Sequence, residues 1–275
     1  MKIATYNVNS INARLEGLCN WLTTEQPDIV LLQEIKTEFN AFPFFEINAA
    51  GYNAAILGQK SYNGVAILSR HKLTVIQENL PNFHDENARW LEALVAVDGK
   101  NIRVASLYLP NGNPPYNDPS DTSKFEYKVA WMDAFIRHAE KLVHSAEPVI
   151  LGGDYNIILT DNDVYNPELF KGGALYCPEV TDRLRTILGQ GWSDAFSLEK
   201  LNSNALISKP QNGYTYWDYG GGAFASDLGL RIDYLLLSPK AADCLEKCWV
   251  DKEPRRHTKP SDHAPLVAEL IWSKK

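Results

Sequence analysis

The stretch Val149-Ile150-Leu151-Gly152-Gly153-Asp154-Tyr155-Asn156 decides how the rest of the chain is interpreted. Its apolar and small residues predict a buried strand, and its two glycines let another group approach the backbone closely. Side chains alternate along an extended chain, so Asp154 and Asn156 are expected on one face and Tyr155 on the other. A simple turn is the structural alternative for a polar strand end. The stretch therefore predicts a carboxylate and an amide side by side at the edge of a sheet.

The composition bounds the class of protein. With 275 residues, 45% of them hydrophobic and 11% aromatic, the chain can bury a substantial core. This length fits one large domain, and we expect a single domain over residues 1–275. The net charge of −7 argues against attraction of nucleic acid over the whole surface. A polyanionic substrate would therefore need a local basic patch or a metal ion.

The cysteines and the apolar runs indicate a compartment. The four cysteines lack Cys-x-x-Cys spacing, which argues against a zinc site or a disulfide framework and suits a reducing environment. The sequence shows no signal-peptide pattern and no run long enough to cross a membrane. We therefore expect a soluble cytoplasmic protein that contacts no membrane and is a monomer.

Strands alternate with helices along the whole chain. Besides the Val149 strand, apolar patterns predict strands at 2–8, 28–32, 52–57, 64–69, 73–78, 89–97, 101–108, 213–217, 231–237 and 266–271. Helical spacing is found in a segment with Ile11, Leu15, Leu18 and Leu22 on one face, and again at 122–144 and 179–188. Most of the strands predicted between residues 52 and 108 are joined by short segments of the length that is typical of β-hairpins. This pattern predicts an α+β fold, a four-layer α/β/β/α sandwich of two packed mixed β-sheets flanked by helices.

Five of the predicted segments end in polar side chains. These are Asn7, Glu34, Asp154 with Asn156, Asp233, and Asp262 with His263. Each has a structural alternative: Glu34 could lie on the surface, and Asp233 could pair with Arg231 on the same face of its strand. Buried acids are costly when unpaired, so several of them on core strands favour a shared cause.

A divalent cation is the simplest shared cause if these strand ends converge. Neighbouring carboxylates repel one another, and a cation would neutralise them. Oxygen ligands with at most one histidine favour Mg²⁺, with Mn²⁺ possible, over zinc. A hard cation beside Asp, Asn and His side chains is suited to phosphodiester hydrolysis.

Six motifs, in this order along the chain, resemble those of the exonuclease III-like apurinic/apyrimidinic (AP) endonucleases of the endonuclease/exonuclease/phosphatase superfamily. They are residues 6–9 (YNVN), 32–34 (LQE), 108–112 (YLPNG), 152–156 (GGDYN), 229–234 (GLRIDY) and 261–263 (SDH). The resemblance implies a Mg²⁺-dependent DNA repair nuclease that cleaves the phosphodiester 5′ to an abasic site. It also implies 3′-to-5′ exonuclease activity and 3′-end trimming on double-stranded DNA. Such a protein would associate with the nucleoid when it is on DNA.

The resemblance further implies a role for each polar strand end. Glu34 would be the main metal ligand, with Asn7 and Asp262 completing the site. Asp154 would activate or orient the attacking water, and Asn156 would hold that water or a phosphate oxygen. The remaining catalytic roles concern a histidine, its partner and a tyrosine. Asp233 would fix the tautomer of His263, which addresses the scissile phosphate, and Tyr108 would contact the phosphate or the departing oxygen.

Substrate contacts are implied in the same way. Tyr216, Leu230 and Ile232 match a small apolar pocket for the flipped, baseless sugar. Tyr216 departs from the pattern, because many relatives carry Trp or Phe there, and its hydroxyl could change the balance between abasic-site cleavage and 3′ trimming. Arg89 and Lys128 lie in segments that resemble phosphate contacts.

Three alternatives stay open at this point. The chain could be an exonuclease-dominant relative with weak abasic-site activity, a phosphatase of lipid or inositol phosphates, or a non-catalytic RNA-binding regulator. The intact acids at positions 34, 154, 233 and 262 argue against the last alternative, because a binding module gains nothing from unneutralised acids.

Overall fold

The computed structural model describes residues 1–114, 118–202 and 212–272. In chain order its strands are Lys2–Asn7 (β1), Ile29–Gln33 (β2), Asn53–Leu57 (β3), Val65–Ser69 (β4), Leu73–Glu78 (β5), Trp90–Val97 (β6), Lys100–Tyr108 (β7), Val149–Asp154 (β8), Ser193–Asp194 (β9), Asp233–Leu237 (β10), Leu245–Val250 (β11) and Leu266–Leu270 (β12). The helices are Leu15–Glu25 (α1), Phe44–Ala49 (α2), Ser123–Leu142 (α3), Pro178–Gly189 (α4), Ala195–Asn202 (α5) and Pro239–Ala242 (α6).

The strands form two six-stranded mixed sheets. The first has the order β11-β12-β1-β2-β4-β3, and the second has the order β5-β6-β7-β8-β10-β9. Each sheet contains a parallel pair, β1 with β2 and β7 with β8, among antiparallel neighbours. In the first sheet β1 also pairs antiparallel with β12, with Lys2 opposite Glu269.

The sheets pack face to face, and helices cover their outer faces. Between the sheets, Leu31 and Ile67 of the first pack with Val104 and Ile150 of the second. α1 and α2 cover the outer face of the first sheet, and α3 and α4 cover that of the second. Burial of apolar side chains on both faces of each sheet is the main stabilising contribution of such layers. The predicted four-layer α/β/β/α sandwich is confirmed.

Several elements differ from the sequence prediction. α1 begins at Leu15 instead of near Ile11, because the amides of Ser10 and Ile11 bond to carbonyls beyond β2. The predicted strand at 213–217 is wrong: Tyr216 makes only isolated bridges, to Leu230 and His263. The strand β11 and the helices α2 and α5 were not predicted. β11 is an irregular edge strand with a register shift after Leu245, so it lacks the alternation that would reveal it.

The strand register brings the polar ends together. In the first sheet Asn7 lies opposite Gln33, the residue before Glu34. In the second sheet Asp154 lies opposite Tyr108 on one side and opposite Asp233 on the other. Because parallel strands end at the same edge of a sheet, both sheets deliver their polar residues to one side of the sandwich. Among the residues that the structure describes, none of the helices is long and apolar enough to cross a bilayer.

Candidate active site

A cavity of about 580 Å³ opens at this shared edge of the two sheets. The predicted residues that line it are Glu34, Tyr108, Asp154, Asn156, Tyr216, Leu230, Ile232, Asp262 and His263. Asn7 and Asp233 are buried and bond to lining residues from behind. Eleven predicted site residues therefore meet in one place.

Asn7 connects the acids of the two sheets. Its Nδ2 atom donates to Oε1 of Glu34 at 3.0 Å and to Oδ2 of Asp154 at 3.0 Å. The hydroxyl of Tyr108 donates to the same Oε1 of Glu34 at 2.8 Å. The Asn7 amide therefore links a carboxylate of the first sheet, Glu34, to a carboxylate of the second sheet, Asp154, and sets the distance between them.

His263 lies between two aspartates. Its Nδ1 atom is 2.8 Å from Oδ2 of Asp233, and its Nε2 atom is 3.7 Å from Oδ2 of Asp154. The three side chains form a buried cluster whose ligand atoms lie within 4.8 Å of one another. With Nδ1 held by Asp233, Nε2 is the nitrogen left facing Asp154 and the cavity.

Burial and neighbouring charges set the protonation of these groups. Burial raises the pKa of Asp154 to about 7, against the opposing charge of His263. Burial alone would lower the pKa of His263, but the charge and the hydrogen bond of Asp233 raise it to about 10. Burial also disfavours ionised Glu34, yet hydrogen bonds from Asn7 and Lys36 lower its pKa. The centre therefore pairs an ionised Glu34 with an Asp154 that can exchange a proton near neutral pH.

Asn156 turns into the cavity although its strand has ended. It has a positive φ of 50°, and its backbone amide donates to Oδ1 of Asp154 at 2.9 Å. Its side chain donates to the carbonyl of Leu109 and accepts from Nδ2 of Asn111 at 3.2 Å. Tyr155, between the two polar residues, packs into the core against the helices, as alternation predicted.

The alternative pairing of Asp233 with Arg231 does not occur. The Nε atom of Arg231 is 2.6 Å from Asp163, and its Nη1 atom is 2.6 Å from Asp194. Its guanidinium also stacks on the ring of Tyr234, 4.6 Å from the ring centroid. β10 begins only at Asp233, so the two side chains do not share a strand face.

Lys36 and Asn9 are among the site residues that the sequence did not predict. The Nζ atom of Lys36 lies 2.7 Å from Oε2 of Glu34 and 2.6 Å from Oδ1 of Asn9. Asn9 in turn donates to Oδ1 of Asp262 at 3.1 Å. Both residues sit inside or beside quoted motifs, but their backbones have positive φ, so strand alternation could not place their side chains.

The donor set fits a hard metal ion. A cation, the ammonium of Lys36, already lies against Glu34, which shows that the position favours positive charge. Glu34 and Asp262 carry carboxylate oxygens and Asn7 carries an amide oxygen, and ligands of this kind suit Mg²⁺ or Mn²⁺. Asn7 here directs its Nδ2 atom toward Glu34. The buried Asp154, Asp233 and His263 cluster could also hold a metal ion.

The apolar wall of the cavity contains the predicted pocket residues and further residues, among them Phe170 and Leu175. Leu230 and Ile232 pack with Tyr216, Phe170 and Leu175. The Tyr216 ring stands edge-on to His263, with the ring centroids 5.0 Å apart. Phe170 and Leu175 come from the irregular loop between β8 and α4, which has no periodicity that would have placed them.

Arg89 and Lys128 lie outside the cavity lining. The Arg89 guanidinium stacks on Tyr108, 4.9 Å from the ring centroid, and donates to the Tyr108 carbonyl. Lys128 is fully buried, and its Nζ atom donates to three main-chain carbonyls. Burial lowers the pKa of Lys128 to about 7, against the charge of Asp154. The expectation that Lys128 contacts a DNA phosphate does not agree with this burial.

Comparisons with known proteins identify the family of the chain. The model of the endonuclease/exonuclease/phosphatase family matches residues 4–263. Exodeoxyribonuclease III of Haemophilus influenzae is 30% identical over 277 residues, which cover 98% of this chain and all of the relative.

Solved structures are similar over nearly the whole chain. An AP endonuclease from Archaeoglobus fulgidus superposes with a TM-score of 0.87 at 31% identity, covering 98% of this chain and 99% of its own. The 3′-5′ exonuclease NExo from Neisseria meningitidis superposes with a TM-score of 0.86 at 34% identity, covering 99% of this chain and all of its own. A further Neisseria structure, described as the 3′ phosphatase NExo bound to product DNA hairpin, has a TM-score of 0.87 at 34% identity, with the same coverage.

The family match over residues 4–263, together with these relatives, establishes the class of enzyme. The chain is a nuclease of the exonuclease III-like AP endonuclease type, and it belongs to the endonuclease/exonuclease/phosphatase family.

Proposed function

We propose that this protein is a Mg²⁺-dependent nuclease that cleaves double-stranded DNA on the 5′ side of abasic sites and also trims 3′ ends. The observation that carries the proposal is the position of Asp154. It is held by Asn7 on one side, faces His263 on the other, and lies at the foot of an apolar-walled cavity. The side chains needed for phosphodiester hydrolysis and a pocket for a small sugar are thus adjacent.

The metal would be held by Glu34, with Asn7 and Asp262. When bound, Mg²⁺ supplies Lewis-acid stabilisation of the charge that develops on the phosphate. Asp154 accepts the proton of the attacking water, and a pKa of about 7 suits a base working near neutral pH.

The other polar side chains position the phosphate. Asp233 holds the His263 ring so that Nε2 faces the cavity, where it stabilises the phosphate oxygens. Asn156 orients the water or a phosphate oxygen, and the Tyr108 hydroxyl contacts the phosphate or the departing oxygen. Of the remaining predicted contacts, Arg89 lies behind Tyr108 and acts through it.

The pocket formed by Tyr216, Leu230 and Ile232 takes the sugar of the abasic nucleotide. Such a nucleotide costs little to extrude, because it has no base to unpair. The Archaeoglobus relative, described as an AP endonuclease, supports this substrate. We also propose that the protein acts as a monomer in the cytoplasm, in contact with the nucleoid when it is on DNA.

A second candidate is an enzyme in which 3′ trimming dominates. It is favoured by the Tyr216 hydroxyl at the pocket wall and by the Neisseria relative, described as a 3′ phosphatase. Tyr216→Phe should raise the ratio of abasic-site cleavage to 3′-phosphate release if this hydroxyl sets the balance. An unchanged ratio would remove Tyr216 as the cause.

The test uses three labelled duplexes that are otherwise identical: one with a synthetic abasic site, one with a 3′-phosphate, and one with a recessed 3′-hydroxyl. With Mg²⁺ we expect cleavage 5′ to the abasic site and removal of the 3′-phosphate, and no reaction with EDTA. Rates on the three duplexes rank the activities. Absence of Mg²⁺-dependent reaction on all three would refute the proposal.

The role of Asp154 is tested by Asp154→Asn. The amide keeps the shape but cannot accept a proton, so we expect cleavage to fall by roughly a thousandfold or more while duplex binding stays within threefold. Asp182→Asn, at an exposed position on α4, is the matched control and should leave both properties unchanged. Equal loss of binding and cleavage in Asp154→Asn would contradict the role.

A further inference from the structure

Lys128 joins three separate segments of the chain beneath the cavity. It projects from α3, and its side chain is completely buried. Its Nζ atom lies 3.1 Å from the carbonyl oxygen of Asn111, 2.8 Å from that of Asn156 and 2.8 Å from that of Ala174. These carbonyls belong to the loop after β7, the segment after β8 and the long loop before α4.

The ammonium form of the side chain suits this arrangement, and the three accepting carbonyls favour that charged form against the effect of burial. The ammonium carries three N–H donors and no acceptor, which matches three converging carbonyls. Burial of these carbonyls without a partner would be unfavourable, so the lysine stabilises the meeting of the three segments.

The loop after β7 is shaped around this side chain. Gly112 has a φ of 80°, a conformation that glycine adopts readily. A Cβ atom at Gly112 would lie only 2.7 Å from Cδ of Lys128. The stem of the lysine therefore occupies the space that a side chain at position 112 would need.

The three anchored residues lead directly to cavity groups. Asn111 donates from Nδ2 to Oδ1 of Asn156, and the amide of Asn156 donates to Oδ1 of Asp154. Ala174 precedes Leu175, which forms part of the apolar wall. One ammonium thus fixes the backbone behind the hydrolytic residues and behind the pocket wall together.

We propose that Lys128 is a positioning residue that holds these three segments, so that Asn111, Asn156 and the Leu175 wall face the substrate, and that it makes no contact with DNA. This proposal rests on the proposed nuclease function for its kinetic test. It replaces the phosphate contact that the sequence resemblance implied for Lys128.

The first test compares Lys128→Met with Lys141→Met, an exposed lysine on the same helix. Misplacement of catalytic groups by such a change lowers kcat by about 100-fold, with KM expected within threefold of the wild type. Lys141→Met should behave like the wild type. A variant that raises KM and leaves kcat unchanged would overturn the proposal.

Salt dependence separates positioning from phosphate contact. If Lys128 neutralised a phosphate, Lys128→Met would lower the slope of log affinity against log salt by about 0.9. We expect the same slope in the wild type and the variant. A reduced slope would overturn the proposal.

A double-mutant cycle tests the path through Asn156. If Lys128 acts by placing Asn156 and its neighbours, Lys128→Met should lower kcat far less in an Asn156→Ala background than in the wild type. Independent, multiplicative losses would contradict that path. If Lys128→Met does not fold, Lys128→Arg serves, since it keeps the charge but cannot present three donors from one atom.

Hydrogen exchange tests the anchoring role of Lys128 without measuring nuclease activity, so its result does not depend on the proposed function. Hydrogen exchange should be faster in Lys128→Met over residues 109–113, 156–158 and 172–176, and unchanged in β1 and β2. Equal protection in both proteins would refute the anchoring role. If the wild type cleaves no DNA, the nuclease proposal fails while the exchange result still tests the anchor.

Discussion

The Nδ1 atom of His263 lies 2.8 Å from the Oδ2 atom of Asp233, and both side chains are buried. Burial by itself would lower the pKa of His263, but the carboxylate raises it to about 10. The imidazole is therefore protonated throughout the neutral range and is held in one orientation.

Removal of the Asp233 carboxylate should lower the pKa of His263. In Asp233→Asn, the lowering by burial is no longer offset by the Asp233 carboxylate, so we expect the pKa of His263 to fall well below its wild-type value. Histidine ring signals in an NMR titration measure this directly. A His263 pKa that stays near its wild-type value would show that Asp233 is not the cause.

The same pair predicts how stability depends on pH. The pKa of His263 is raised on folding, so its contribution is fully present below the unfolded value of about 6.5 and is lost as pH rises through about 10. The free energy of unfolding in urea should therefore decline between these pH values in the wild type, and decline less in Asp233→Asn. Parallel curves for the two proteins would contradict this.

The Tyr108 hydroxyl donates one hydrogen bond to Glu34. Removal of this hydroxyl tests how much the bond contributes to the ionisation of Glu34 and to catalysis. Tyr108→Phe should raise the pKa of Glu34, because a donor to its Oε1 atom is lost. We expect kcat to fall by about tenfold or more, the effect of losing one charge-assisted hydrogen bond. Tyr62→Phe, at an exposed tyrosine, is the control. Equal rates in wild type and Tyr108→Phe would leave Tyr108 without the assigned role.

Metal binding by Glu34 can be measured without DNA. A ligand that binds the folded state raises the melting temperature by mass action, so Mg²⁺ should stabilise the wild type. Glu34→Gln should lose most of that shift, whereas Glu78→Gln, at an exposed strand position, should keep it. An undiminished shift in Glu34→Gln would place the ion elsewhere, for example at the Asp154, Asp233 and His263 cluster.

Arg231 carries no assigned chemistry, but it holds two buried acids. Arg231→Met leaves Asp163 and Asp194 without their cation, and the loss of one partner from a buried ion pair costs about 3–5 kcal/mol. Urea unfolding measures the change. Arg185→Met, which removes an exposed pair, should have a much smaller effect. Comparable effects would mean that the buried network contributes little.

The carboxylates of Glu34 and Asp154 were predictable because Glu34 follows β2 and Asp154 ends β8. Apolar runs and alternation placed Asp154 and Glu34 at strand ends. The strand registers within the two sheets then bring these residues to the same edge of the sandwich. The end of a strand depends on neighbouring residues in the sequence, so the local pattern can predict it.

The contacts of Lys36 and Lys128 could not be predicted in this way. Lys36 follows two residues after Glu34, but both have positive φ, so their orientation depends on how the segment folds back. Lys128 lies on the apolar face of a helix, and its three acceptors come from loops without periodicity. The same limit explains why the partners of Arg231, which are 37 and 68 residues away, were not predicted.

The antiparallel pairing of β1 with β12 has a consequence for biosynthesis. While the ribosome elongates the chain, β1 can find β2 early, but its second neighbour emerges only after the other strands of both sheets. Asp262 and His263 directly precede that last strand. If Asp262 and His263 act as proposed, the site is complete only once β12 has docked on β1, however much of the sandwich has already formed.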